Sequence, residues 1–279
     1  MQPVLYLVGT PIGNLSDISP RVRETLKKVD FIAAEDTRNT LKLLNFMGIK
    51  KPLISYFEHN KRQRGEEILK KIEAGQIGAL VTDAGMPAVS DPGEDLVALL
   101  YEHGYCVTAV AGPCAFVSGL ILSGLPTGRF CFEGFLSTAK KSRNEHLESL
   151  KNEQRTMIFY ESPQKLKNTL TDFAKAFGSA RRIALTRELS KMHEEVLRGS
   201  IGDMIAYYET QAPRGEYVVI VDGAKEVQSD NFWDSWSVPQ HIEHYKTLGF
   251  SNMDAVKAVA KDRGVPKNEI YKISVESKE

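Results

Sequence analysis

Residues 82–93, T-D-A-G-M-P-A-V-S-D-P-G, put Asp83 and Asp91 at the ends of a loop that also holds two glycines and two prolines. Glycine admits close backbone approach and proline fixes φ, so such a loop holds a shape. Gly85, Met86 and Pro87 lie at its centre, where a ligand would touch it. Residues 34–38, A-E-D-T-R, crowd two carboxylates, a hydroxyl and an arginine together, which is costly to desolvate unless the charges are paired or used. Asp36 is the acid most exposed to a second use there, and Arg38 is the cation beside it. The plainer role of Asp36 is to cap a helix. T-R-E-L-S-K at 186–191 repeats the pattern with Arg187, Glu188 and Lys191. Gly112, Pro113, Cys114 and Ala115 form a small-residue turn that backbone or ligand can approach. Pro11 in V-G-T-P-I-G-N-L-S-D, Tyr160 and Glu161 in F-Y-E-S-P, and Gly215 and Glu216 in P-R-G-E-Y complete the polar loops.

These loops follow strand signals. Apolar runs at 4–8, 31–34, 53–57, 77–81 and 105–110 alternate with helices that begin at Ser19-Pro20 and end before Gly48, Gly75 and Gly104. Asp91 and Pro92 read as N-cap and first residue of the fourth helix. The pattern predicts an α/β fold whose first part, 1–118, is a doubly wound parallel sheet. Ligands bind such sheets at the carboxyl edge, where the loops of this first part lie. Beyond a small-residue helix at 114–122, strands at 129–132, 156–160, 182–185, 195–197 and 217–221 and helices at about 140–152, 163–177 and 202–211 predict a second α/β domain, 119–224, with a mixed sheet. A polar linker at 225–237 leads to three short helices at 239–247, 253–263 and 267–275, a small helix-turn-helix-like appendage over 238–279.

Composition narrows the function. The 279 residues are 42% hydrophobic and 26% charged, as in globular proteins, and 36 basic residues balance 36 acidic ones. Zero net charge argues against bulk electrostatic binding of nucleic acid. Local basic clusters remain at Lys61, Arg62 and Arg64, at Lys140, Lys141 and Arg143, and at Arg181 and Arg182. They suit a few phosphate contacts on a folded RNA. No run approaches the roughly 18 apolar residues of a membrane span, and residues 1–9 lack the basic start of a signal peptide. Three cysteines without a C-x-x-C pair point to a reducing, cytoplasmic setting, and six scattered histidines predict no metal site. The first loop is neither G-x-G-x-x-G nor a Walker loop with its lysine, which disfavours dinucleotide dehydrogenases and P-loop NTPases.

In order and spacing, six stretches resemble one family: 9–15 (G-T-P-I-G-N-L), 34–38 (A-E-D-T-R), 83–93 (D-A-G through D-P-G), 112–115 (G-P-C-A), 159–162 (F-Y-E-S) and 187–189 (R-E-L). The chain is similar to the tetrapyrrole-methylase superfamily of S-adenosylmethionine enzymes, and within it to the branch that methylates ribose in small-subunit ribosomal RNA. The resemblance covers about 4–223, and it implies the two-domain class III methyltransferase fold. One departure is Gln164-Lys165, where that branch often has a basic His-Arg pair.

The resemblance implies a homodimer with S-adenosylmethionine in a cleft between the two α/β domains. Pro11, Asp83, Gly85, Met86, Pro87, Gly112, Pro113, Cys114, Ala115, Tyr160, Glu161, Gly215 and Glu216 are then the expected cofactor contacts. The implied substrate is a cytidine 2′-hydroxyl in the decoding region, contacted by Arg38, Lys140, Lys141, Arg143, Lys165, Arg187 and Lys191. A ribose hydroxyl is weakly acidic, so a base helps, and Asp36 and Glu188 are the candidates. The competing use of both carboxylates is structural, with alignment of donor and acceptor doing most of the catalysis. Other readings are a porphyrinoid methyltransferase on the same fold, a non-catalytic regulator that binds DNA through its last helices, and an assembly factor that only docks on the ribosomal subunit. The 34–38 motif and the helical appendage argue against the first, and the crowded cleft loops against the second.

Overall fold

A computed structural model describes residues 2–225 and 232–276. They fall into two compact units, divided between Lys225 and Glu226. The expected linker at 225–237 therefore lies in good part outside the described residues.

The first unit contains two sheets. The first is wholly parallel, in the order β3 (Leu53–Ser55), β2 (Phe31–Ala34), β4 (Gly78–Val81), β1 (Leu5–Val8), β5 (Val107–Val110). Period-2 alternation sorts its side chains to two buried faces. Val8, Ile32, Ala34, Ala79 and Val81 pack with Val22 and Leu26 of α1 (Pro20–Lys28) and Leu44 and Met47 of α2 (Thr37–Met47). Leu5, Phe31, Ala33 and Leu80 pack on the other side with Ile68 and Ile72 of α3 (Lys61–Glu73) and Leu96 and Leu100 of α4 (Glu94–Glu102). Helices on both faces make the doubly wound layer, and its strand order reverses at β4 and β1. A crevice opens at the carboxyl end of such a reversal.

The second sheet is mixed, in the order β6 (Phe130–Phe135), β7 (Thr156–Glu161), β10 (Tyr217–Val221), β8 (Arg182–Arg187), β9 (Glu195–Ser200), and only β6 and β7 run parallel. One face carries α6 (Lys140–Ser149), α7 (Pro163–Phe177) and α8 (Ile201–Thr210) over Met157, Phe159, Leu185 and Val219. The other face meets α5 (Ala115–Ser123) through Leu120. The expected boundary at 118–119 thus falls inside α5. Strand β6 runs past its expected end at 132 because a bulge at 132–134, with Gly134 at φ 62°, carries the pairing on to Phe135.

The start of α4 is a correction. Asp91 and Pro92 do not open it; Gly93, at φ 151°, precedes its first residue, Glu94, with no side-chain cap. Burial raises the Asp91 carboxyl above its usual range, a hydrogen bond with Thr82 works against that, and the charges of Glu35 and Asp83 add to it. Asp91 belongs to the loop's interior.

The second unit holds α9 (Val238–Thr247), α10 (Asn252–Arg263) and α11 (Lys267–Glu276), packed through Ile242, Ala255, Val256, Val259 and Ile270. Ser237 with Gln240 forms a full capping box on α9, and Ser251 caps α10 by accepting from the Asp254 N–H.

Candidate functional site

The loops after β1 and β4 are stitched together. Thr10 N–H donates to the Gly85 carbonyl at 2.9 Å and Gly85 N–H returns to Thr10 at 3.1 Å, an isolated antiparallel bridge. The Thr10 hydroxyl also donates to the Thr82 carbonyl at 3.1 Å. Gly85 sits at φ 85°, a left-handed conformation that a Cβ would strain.

A second set of contacts ties the loop after β8 to the first loop. The Ser190 hydroxyl donates to Asp17 Oδ2 at 2.6 Å, and the Lys191 side chain lies directly against Gly13. Between these loops and β7 and β10 lies a cavity of about 330 Å³. Its lining includes Ile12, Gly85, Met86, Asp91, Cys114, Phe135, Tyr160, Glu161, Glu188 and Lys191. Pockets of this class, mostly apolar with a few convergent polar groups, are where small molecules bind.

Non-glycine residues in the left-handed region stand in the loops beside this cavity: Ala88 at φ 66°, Glu188 at φ 52° and Ser190 at φ 66°. Each such conformation costs about 1–2 kcal/mol, and such strain collects at functional sites. Glu188 is held by the Glu216 N–H at 3.3 Å and the Lys191 ammonium at 3.0 Å, and a side chain on Gly215 would collide with it. Burial pushes its carboxyl up, but Lys191, the Glu216 N–H and Arg187 outweigh that and the net shift is down. Glu188 is therefore an anion at neutral pH, better suited to orientation than to taking a proton.

Glu161 is buried in the cavity wall and takes the Ser162 N–H at 2.8 Å and the Thr169 hydroxyl at 2.5 Å. Behind Thr169 stands Arg143, which donates to the Thr169 oxygen at 2.9 Å and to Asp172 at 2.7 Å. Tyr160 accepts the Phe116 N–H at 3.2 Å, and burial raises its phenol well above its usual range. Phe132 and Phe135 pack around its ring at centroid distances of 5.1 and 5.4 Å.

Of the expected cofactor contacts, Gly85, Met86, Cys114, Ala115, Tyr160, Glu161 and Glu216 line this cavity. Gly112 and Pro113 line a neighbouring hollow. Pro11 and Asp83 face a different cavity again, on the α2 side. Pro87 and Gly215 line none of these three, although a side chain on Gly215 would meet the cleft residue Glu188. Residues not named as contacts from the sequence also line the cleft: Ile12, Ser90 and Leu189 from within the quoted stretches, and Phe116 and Phe135 from outside them.

The two carboxylates weighed as bases are not neighbours in one cavity. Asp36 caps α2 through the Arg38 N–H at 2.8 Å and forms a bidentate pair with the exposed Arg38 guanidinium. The Arg38 side chain, then its N–H, hold the Asp36 carboxyl down to about 2. Of the cations expected to meet RNA, Lys140, Lys141 and Lys165 are exposed, and so is Arg38. Arg187 is bound to Glu195 at 2.6 Å and Lys191 to Glu188. Arg143 is a correction: it is buried, and its charge is spent on Asp172 and Thr169 inside the second sheet's helical layer. Among the described residues no group of three or more His, Cys, Asp or Glu is placed to hold a metal, and no helix is long and apolar enough to cross a membrane.

Residues 4–205 match the family described as Tetrapyrrole (Corrin/Porphyrin) Methylases. Ribosomal RNA small subunit methyltransferase I of Halalkalibacterium halodurans is 48% identical over 271 residues, 96% of this chain and 93% of that protein. The protein of the same name from Bacillus subtilis is 44% identical, over 96% and 92% of the two chains. The crystal structure of uroporphyrin-III-C-methyltransferase from Thermus thermophilus superposes with a TM-score of 0.55 at 17% identity, covering 77% of this chain and 93% of that one. That last likeness carries the fold alone.

Proposed function

This chain belongs to the tetrapyrrole methylase family, and we propose that it transfers the methyl group of S-adenosylmethionine to the 2′-hydroxyl of a cytidine in the decoding region of small-subunit ribosomal RNA. The observation that carries the reading is near-full-length identity of 44–48% to proteins named for methylating that RNA, over a chain in which seven of the expected cofactor contacts line one cleft.

The cleft suits the methyl donor. Its volume of about 330 Å³ and its aromatic wall of Phe116, Phe135 and Tyr160 fit a purine nucleoside, while Glu188, Glu216 and Asp91 offer acceptors for amino and hydroxyl groups. Gly85, Met86, Cys114 and Ala115 would hold it against the first sheet's edge, and Tyr160, Glu161 and Glu216 against the second. When bound it supplies an electrophilic methyl on a sulfonium with a good leaving group.

The residues of the chain then have three tasks. The stitched loops fix the donor's position, which suits an in-line displacement in which alignment is the main demand. The apolar wall excludes water from the methyl's path. A carboxylate near the acceptor orients the hydroxyl and receives its proton as the oxygen–methyl bond forms. Asp36 and Glu188 are both ionised near neutrality and both weak bases, so orientation is the larger part of what either contributes.

We further infer a homodimer working in the cytoplasm, where small subunits are found. Val117 and Ile121, one turn apart on α5, are exposed, as is Phe130 on β6, whose ring stands 6.4 Å from that of Phe116 at the start of α5; such apolar surface suits a second subunit.

The test is transfer of labelled methyl from S-adenosylmethionine to small subunits from a strain lacking this gene, followed by nucleoside analysis. Label in 2′-O-methylcytidine is the expected result. Cofactor binding without label in any RNA nucleoside would sink the reading and make porphyrinoid acceptors the next assay. Light scattering at one subunit mass would remove the dimer.

A further inference from the structure

A second cavity, of about 240 Å³, opens beside the first on the α2 side of the parallel sheet. The two meet along the Thr10–Gly85 bridge: Pro11 and Asp83 line the second, and their chain neighbours Ile12 and Ala84 line the first. Its volume lies below the ~300–1,000 Å³ usual for drug-sized ligands, which suits a single flat ring system.

The lining divides into a polar end and an apolar end. At the polar end the Asn39 amide donates to Asp83 Oδ2 at 2.8 Å, and the Asp36 N–H reaches Asp83 Oδ1 at 3.3 Å. These bonds fix the carboxylate without exhausting it, because a carboxylate offers about four lone-pair directions. The amide keeps one N–H and its carbonyl oxygen. Both side chains are exposed to the cavity mouth. At the apolar end Leu15 is 46% exposed and Phe46 is 56% exposed, on a 3-10 turn and on α2. Lys42 stands on the rim. An acceptor carboxylate beside a donor amide, faced by an unpartnered aromatic and flanked by a cation, matches a nucleotide: a base edge, a base face and a phosphate.

We propose that this cavity seats the base of the acceptor nucleotide, with Asp83 and Asn39 reading its Watson–Crick edge and Phe46 its face. The inference rests on the proposed function and adds how the base is chosen. Cytosine presents an amine donor next to a ring-nitrogen acceptor, so the amine meets Asp83 and the ring nitrogen meets the free Asn39 N–H. Uracil presents a carbonyl and an N–H at the same positions, which sets oxygen against carboxylate and N–H against N–H. Asp83, expected from the sequence to touch the methyl donor, is reassigned to the acceptor base; the bridge separates that base from the donor, and the ribose reaches past it so that its 2′-oxygen meets the methyl directly.

The test is methyl transfer to small subunits carrying cytidine or uridine at the modified position, by the full chain and by Asp83→Asn and Phe46→Ala. A matched base contact carries about 1–3 kcal/mol of discrimination, so Asp83→Asn lowers the cytidine-to-uridine ratio of kcat/KM by about tenfold to hundredfold. Phe46→Ala raises KM for both bases and leaves the ratio in place. Affinity for S-adenosylmethionine stays unchanged in both variants. An unaltered ratio in Asp83→Asn, or a loss of cofactor affinity equal to its loss of activity, overturns the proposal. If Asp83→Asn is inactive on both substrates, competition between cytidine and uridine oligonucleotides for binding decides: a preference lost with Asp83 supports the base site, and one retained overturns it. Failure of the unmodified protein to methylate either subunit is a separate result, and it would remove the proposed function itself.

Discussion

Gly9 and Gly112 face each other so closely that a Cβ built on Gly9 would stand 2.7 Å from the Gly112 Cα, and one on Gly112 would stand 2.8 Å from the Gly9 Cα. The loops after β1 and β5 therefore pass in backbone contact at the base of the cleft, where neither neighbour can give way. Gly112→Ala is expected to destabilise the chain by about 1–3 kcal/mol through overpacking. A lower urea midpoint with an unchanged slope would show it, together with weaker S-adenosylmethionine binding. An unchanged midpoint would mean the loops part without cost.

Asp36→Asn separates a cap from a charge. Asparagine caps helices as well as aspartate does, so α2 should keep its stability. The variant loses the ionic half of the Arg38 pair. Methyl transfer is expected to fall while cofactor affinity holds. Because the Asp36 carboxyl is held down to about 2, its pairing persists from neutrality downward and disappears only as pH falls through that value. A rate profile between pH 5 and 8 should thus show no inflection that Asp36→Asn removes. Unchanged turnover would take Asp36 out of the mechanism.

Arg143 and its neighbours Lys140 and Lys141 should behave oppositely. Arg143→Ala leaves Asp172 with only the longer Lys175 contact at 3.6 Å and loosens Thr169 against Glu161, at a cost of about 1–3 kcal/mol. Its thermal midpoint should drop, and its salt dependence of RNA binding should stay. Lys140→Ala and Lys141→Ala leave stability unchanged, and each reduces the salt slope of RNA binding by about 1 if its cation meets a phosphate. Equal thermal shifts in all of these variants would contradict this division.

Asp91 works against the fold at neutral pH. Burial raises its carboxyl above the ordinary value of 3.8, so ionising it costs more in the folded chain than in the unfolded one. Its contribution is intact below that value and is lost as pH rises through the raised one. Asp91→Asn should raise the melting temperature at pH 7 and flatten the loss of stability above pH 4. A lower melting temperature at pH 7 would show instead that the charge is needed, by the Thr82 hydrogen bond or by its neighbours.

Much of this was legible in the chain. Nearly unbroken apolar runs in β1, β2 and β4 announced strands buried on both faces, and the glycines at 48, 75 and 104 marked helix ends, where they take left-handed φ of 69°, 84° and 75°. Cleft residues carried by small-residue loops, such as Gly85 and Cys114, could be read because backbone requirements show in residue type. Asp91 could not, since its hydrogen bond with Thr82 depends on how the loop folds back on the end of β4, nine residues earlier, not on the Asp-Pro dipeptide that mimics a cap. Arg143 looked like its lysine neighbours because its partner Asp172 lies on another helix. Phe116 and Phe135 reach the cleft through the α5 turn and the β6 bulge, which no local pattern specifies.

The Thr10–Gly85 bridge has a thermodynamic corollary. Two hydrogen bonds form the party wall between the cavity assigned to the methyl donor and the one assigned to the acceptor base. Any shift in that wall when one chamber fills changes the other chamber's affinity, and linkage makes the effect reciprocal: the factor by which donor changes acceptor binding equals the factor by which acceptor changes donor binding. Order of addition would then be a property of rates alone, while the ternary complex is equally stable by either route.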